Sequence, residues 1–152
     1  MRVMIWVRVV VLSFLLLVIC QPLFAQVEGL VSVASNYSVE RTIDRLDSIA
    51  RAKGLKIFTR IDFTEDAREA GLKMHPAQLL IFGNPQAGTP LMLSAPTIAI
   101  DLPLKALAWQ DSDGKVWLCY NDPAYLQKRH HFNADLLKNI SGMAGLMKAA
   151  AR

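Results

Sequence analysis

The chain has 152 residues, a formal net charge of +4 and two cysteines. Two of its cations, Arg2 and Arg8, fall in an apolar N-terminal stretch, so the remainder carries only +2, which excludes the electrostatic footprint of a nucleic-acid-binding protein. That length gives one compact domain with a proper core and leaves no room for a second.

The N-terminal stretch reads as a secretory signal. Arg2 and Arg8 supply positive charge, Val9 to Ile19 form the apolar centre, and Leu23-Phe24-Ala25 places a small residue before a cleavage point. A retained membrane anchor is the competing reading, but a spanning helix needs about 20 apolar residues. Here the run is bounded by Arg8 and by Gln21-Pro22. Cys20 raises the alternative of a lipoprotein, yet Ile19 stands where a small residue is expected. Residues 1–25 are therefore expected to be removed, leaving a domain over residues 26–152 that is periplasmic or secreted and has no stable membrane anchor. Cys119 is the only cysteine in that domain, so no intramolecular disulfide supports it despite export.

In the domain itself, VEGLVSVAS over 27–35 alternates imperfectly and suits a first strand. Ser38 caps a helix whose Val39, Ile43, Leu46, Ile49 and Ala50 form one stripe, with Gly54 as terminator. LKIFTRI over 55–61 alternates as a second strand, placing Leu55, Ile57, Thr59 and Ile61 on one face. Asp62 or Thr64 caps a short acidic helix that ends at Gly71. Ala77 to Phe82 reads as a third strand, and its Leu79-Leu80-Ile81-Phe82 run, lacking a polar face, points to the sheet centre.

Gly83-Asn84-Pro85 reads as a turn, followed by short helical turns that bury Leu91, Ile98 and their neighbours. Leu104 to Gln110 and Lys115 to Tyr120 form a hairpin about Asp111-Ser112-Asp113-Gly114. Asp122-Pro123 starts a brief helix running into His130-His131. Asn133 caps a final helix with a stripe of Leu136, Leu137, Ile140, Met143, Ala144 and Met147, in which Gly142 and Gly145 suggest close approach of another element. The order implies an α+β fold of two layers, a mostly antiparallel sheet with its long helices on one face.

Phe58-Thr59-Arg60-Ile61-Asp62, Ala67-Arg68-Glu69-Ala70-Gly71, Ile81-Phe82-Gly83-Asn84-Pro85, Gly88-Thr89-Pro90-Leu91-Met92, Asp101-Leu102-Pro103-Leu104 and Val116-Trp117-Leu118-Cys119-Tyr120 follow one another at a spacing that resembles domain-of-unknown-function family 302. The resemblance implies a TATA-binding-protein-like β-α-β(4)-α arrangement, commonly a homodimer, and no known activity. Where many members of that family carry His after the Ile-Asp pair, this chain has Phe63, so a role hung on that histidine does not transfer.

No recognisable catalytic constellation, metal-ligand spacing or cofactor motif appears. The candidate site is the Gly83–Leu91 loop, in which Gly83, Asn84, Gly88, Thr89 and Met92 could hold a small ligand or an anion through backbone N–H groups, side-chain donors and an apolar wall. GNPQAGT is neither a Walker loop nor a dinucleotide fingerprint, and a plain turn explains the same residues.

Cys119 beside His75, His130 or His131 would make a thiol nucleophile, against inert packing of a buried cysteine. Asp62, Glu65, Asp66 and Glu69 could supply a carboxylate pair, against an ordinary capped helix. His130-His131 next to Lys128-Arg129 could bind a metal or an acidic partner, against a solvated basic end, and Trp109 and Trp117 could line a pocket, against a cross-strand core pair. Three functions follow in order: a ligand-binding domain, a homodimeric scaffold or interaction module, and a thiol- or carboxylate-dependent enzyme.

Overall fold

The computed structural model describes residues 27–152; the expected signal segment and Cys20 lie outside the described residues. The elements are β1 (Leu30–Ser35), α1 (Val39–Ala52), β2 (Lys56–Asp62), α2 (Phe63–Glu69), β3 (Ala77–Gly83), α3 (Pro85–Ser94), a 3₁₀ segment (Pro96–Ile100), β4 (Leu104–Gln110), β5 (Val116–Asn121), α4 (Pro123–His130), a second 3₁₀ segment (Ala134–Asn139) and α5 (Met143–Ala151). The strands form one sheet in the order β1-β5-β4-β3-β2, antiparallel at every pairing. With the short inserted helices set aside this is the implied β-α-β(4)-α order, and the α+β class holds. The centre is β4, however, and β3 lies one place out: a run apolar on both faces needs neighbours on both sides, which β2 and β4 supply without β3 being central.

Alternation along the strands divides the sheet into two unlike faces. Leu80 and Phe82 on β3, Ala106 and Ala108 on β4, and Val116 and Leu118 on β5 face the helical layer, where Ile43 and Leu46 of α1 and Leu146 and Met147 of α5 close over them. Ser38 starts α1 by accepting from the Arg41 amide, and buried Thr42 donates to the Ser38 carbonyl at 2.8 Å while bonding Ser35 Oγ at 2.7 Å. Beside α1, Arg60 reaches both Asp44 at 2.6 Å and Gln78 Oε1, and Gln78 in turn donates to Asp62 at 2.7 Å.

The last helix departs from expectation. Asn133 caps the second 3₁₀ segment, and the chain turns at Ile140 to Gly142 before α5 begins. The apolar residues belong to two stripes: Leu136, Leu137 and Ile140 join a cluster with Leu91, Ile98 and Phe132, whereas Met143, Leu146 and Met147 join the sheet core. Ala144 is exposed. At its far end α5 is tied down by other segments: Arg45 donates to the Ala149 and Ala150 carbonyls, the Asn36 amide to Ala151, and the Tyr37 hydroxyl to Arg152. Four carbonyls left over by the last turn are thereby satisfied.

β2 departs too. The register slips between Ile57 and Thr59, a bulge that gives Phe58 no partner on β3. Ile57 keeps to the helical side, while Thr59 and Ile61, paired with Ile81 and Leu79, pass to the other face. In the β4–β5 hairpin, Asp111 accepts from the Asp113 and Lys115 amides and from the Trp117 indole at 2.8 Å. That indole bond, then the backbone donors, hold the Asp111 carboxyl below the usual carboxylate range.

Leu80 has no exposed surface and lies between two strands under α1. Leu80→Ala is expected to cost on the order of 2–5 kcal/mol through lost contact and a residual cavity, and Glu40→Ala, on an exposed position, well under half of that. Urea melts of the two variants check this; equal midpoints would contradict the placement.

Candidate functional site

The segment read as a turn is a helix. Asn84 is the N-cap of α3, its Oδ1 accepting from the Gln86 amide at 2.9 Å, and Pro85 occupies the first turn. Gly88 and Pro90 are poor helix residues, but buried Leu91 anchors the helix in the second cluster, and tertiary packing outweighs the local preference. The Ala87 and Gly88 amides bond the Asn84 carbonyl at 3.0 and 2.9 Å. With these donors engaged, no backbone nest faces an anion.

The five residues singled out in the sequence nevertheless meet at one place. Gly83, Asn84, Gly88, Thr89 and Met92 all line a hollow of about 400 Å³, within the range of small-molecule sites. Its opposite wall comes from Leu55, the bulged Phe58, Leu102, Pro103 and Leu104, and its floor from Asn139 and Ile140. Asn139 donates to the Ala87 carbonyl at 3.1 Å, tying the second 3₁₀ segment to α3. Among the described residues the lining contains no ionisable side chain. Such a wall can exclude water and hold an apolar body, and the polar side chains among its lining are the Asn84 and Asn139 amides and the Thr89 hydroxyl. Thr89 is exposed, and Gly83 is buried with Pro103 and Leu104 in ordinary contact distance of a side chain there.

The other candidates are not brought together. Cys119 is buried against Ser32 Oγ and the Trp109 indole, each at 3.1 Å, and neither contact is a histidine. Asp62 caps α2 through the Thr64 and Glu65 amides; Thr64 instead accepts from the Ala77 amide. Glu65 is paired with Arg68, whose hydrogen bond keeps its carboxyl below the usual range. Trp109 and Trp117 are register partners but half-buried on the sheet face away from the helices, so they are not a core pair. Among the described residues no cluster of three or more His, Cys, Asp or Glu side chains could hold a metal.

His130 corrects the reading of a solvated basic end. Its side chain is only 5% exposed, bonded to Asp101 at 2.6 Å through Nε2 and to Thr97 Oγ1 at 3.0 Å through Nδ1, with Arg129 also on Asp101 at 3.3 Å. His131 ends α4 in a left-handed conformation, φ 57°, and is exposed. Sequence reasoning missed the cluster because its members lie 29 and 33 positions apart. It locks α4 onto the first 3₁₀ segment.

Fold and hollow define a class: a two-layer α+β domain with a preformed apolar hollow where the helical layer meets one end of the sheet. Residues 31–150 match the family described as Domain of unknown function DUF302, and the chain belongs to that family. The crystal structure of an uncharacterized conserved DUF302 protein from Bacillus stearothermophilus has the same fold, with a TM-score of 0.68 at 20% identity, covering 82% of this chain and 97% of that one. Curated relatives are proteins named fluoride-specific ion channel FluC 1 from Brucella suis biovar 1 and Brucella abortus biovar 1, each 54% identical over 102 residues. The match takes in 67% of this chain but only 40% and 38% of those proteins' lengths. Among the described residues no helix is long and apolar enough to cross a membrane.

Because Asn84 caps α3, Asn84→Ala is expected to cost about 0.5–2 kcal/mol, whereas Thr89→Val, at an exposed position, should leave the urea midpoint unchanged within about 0.5 kcal/mol. A stable Asn84→Ala variant would mean that the helix start is held by packing alone.

Proposed function

We propose that this domain binds a small, uncharged or largely apolar molecule in the hollow formed by Gly83, Asn84, Gly88, Thr89 and Met92 with Leu55, Phe58 and Ile140, and that it does so as an exported protein, a location resting on the character of residues 1–25. The observation that carries the reading is the lining itself: a concave, mostly aliphatic and aromatic wall, open to solvent, with Asn84, Thr89 and Asn139 as its polar side chains and no titratable group among the described residues. Leaving such a wall wet is unfavourable by roughly 25 cal/mol for each Å² an apolar ligand would cover. Catalysis by thiol or carboxylate has no support at this place. The fluoride-channel name belongs to proteins of which this domain's counterpart is a minor part, and no ion transport is carried over.

Toluene is a suitable first probe. It should raise the melting temperature by mass action and shift the amide resonances of α3 and of Phe58 and Asn139. Met92→Trp, which fills the hollow from a half-buried position, should remove both effects while the protein stays folded. A wild type indifferent to toluene, or an unaffected Met92→Trp variant, would reject the reading.

A second reading, a homodimeric scaffold, is favoured by the sheet face away from the helices. Ile61, Leu79, Ile81, Leu107, Trp109 and Trp117 lie on it, each only half-buried, and uncovered apolar faces of this kind mark interaction surfaces. Light scattering should then give a dimer that Leu107→Glu converts to a monomer; a monomeric wild type at high concentration would exclude it.

A further inference from the structure

The hollow does not end at Ile140. A second depression, also of about 400 Å³, adjoins it and shares Leu55, Leu104, Asn139 and Ile140 as common wall. Its far side is made by Phe82, Met143 and Leu146 and by two glycines of the last segment, Gly142 and Gly145. Those glycines are not there for close packing: a Cβ built at either meets nothing within 4 Å. Gly145 stands inside α5, where glycine costs about 1 kcal/mol relative to alanine, and the space its missing side chain leaves belongs to the depression. Meeting at the shared Leu55 and Leu104, the two hollows lie side by side between α3 and α5, and together would form one trough.

One charge borders the two hollows among the described residues. Among the described residues Lys53 is the one ionisable side chain lining either hollow; it is exposed, and no ion pair among those residues engages it. Lys56, on the same short segment, sits over the Phe58 ring at 4.7 Å. Among the described residues no acidic side chain lines either hollow. We infer that the ligand is an elongated amphiphile with an anionic head: an acyl-type chain lies along the trough across Leu55, Leu104 and Ile140, and its carboxylate is held at the rim by Lys53. This rests on the reading of the first hollow as a binding site and adds the length, shape and charge of what occupies it. An exposed ammonium contributes modestly to affinity and sets the polarity of the bound molecule, while the chain supplies most of the driving force.

Three ten-carbon probes separate the contributions: decanoate, decanol and decyltrimethylammonium, each titrated calorimetrically below its micelle concentration, with toluene as the probe of the first hollow alone. Decanoate should bind tightest and decyltrimethylammonium weakest. Lys53→Gln should weaken decanoate roughly two- to fivefold, as expected for an exposed ion pair, and leave decanol unchanged. Gly145→Leu, which fills the second depression and improves helix propensity, should weaken decanoate and decanol at least about tenfold, the loss of a few buried methylenes, with toluene binding and the melting temperature retained. If toluene binds while decanoate is indifferent to Gly145→Leu, the trough is refuted and the first hollow stands alone. Equal affinity for the three head groups would overturn the role of Lys53. If neither toluene nor decanoate binds, both readings fall.

Discussion

Leu104 is the side chain at which two separate apolar clusters touch, one under the sheet and one between α3, α4 and the 3₁₀ segments. Had these clusters merged, the domain would have had a single continuous core. They remain distinct because the chain between Ile140 and Met143 breaks, sending Ile140 one way and Met143 the other. The seam between them is the hollow. Protein interiors close up wherever they can, since unfilled space forfeits dispersion contacts. A gap on this scale, walled by carbon and opened further by Gly142 and Gly145, is therefore kept open by backbone geometry.

Much of the fold was legible because its signals are local. The Ser38 cap and the stripe from Val39 to Ala50 define α1 without reference to the rest, and the hairpin about Asp111 follows from its turn residues. Asn84-Pro85 carried the same helix-start signal as Asp122-Pro123, which was read correctly. Gly88 and Pro90 hid it, since both argue against a helix and only the burial of Leu91, a contact distant in sequence, reverses that argument.

Five lining residues of the candidate hollow were named from the sequence, and its architecture was not. Glycine, asparagine and threonine near an apolar run marked a place where the chain turns sharply beside hydrophobic surface, and the five named residues do share a wall. The opposite wall was out of reach. Phe58 belongs to it through a bulge, a shift of one residue that alternation cannot reveal, and Leu55, Leu102 and Ile140 arrive from three other segments. For the same reason the Asp101–His130 pair could not be foreseen: proximity across 29 positions leaves no periodic trace.

The fastening of the last helix has a consequence for how the chain acquires its structure. Arg45, Asn36 and Tyr37 hold the carbonyls of residues 149–152 across separations of 104 to 115 positions, and Arg45 also stacks on Tyr37 at 4.4 Å. Arg45 and Tyr37 thus find these partners only at the end of the domain, while Thr42, Asp44 and Asp47 have theirs nearby in sequence. Closing so wide a span carries an entropic cost that grows slowly with the length of the loop. The pairing of β1 with β5 and the fastening of α5 to α1 thus close the widest loops of the domain, whereas β2, β3, β4 and β5 each pair with the strand next to them in sequence.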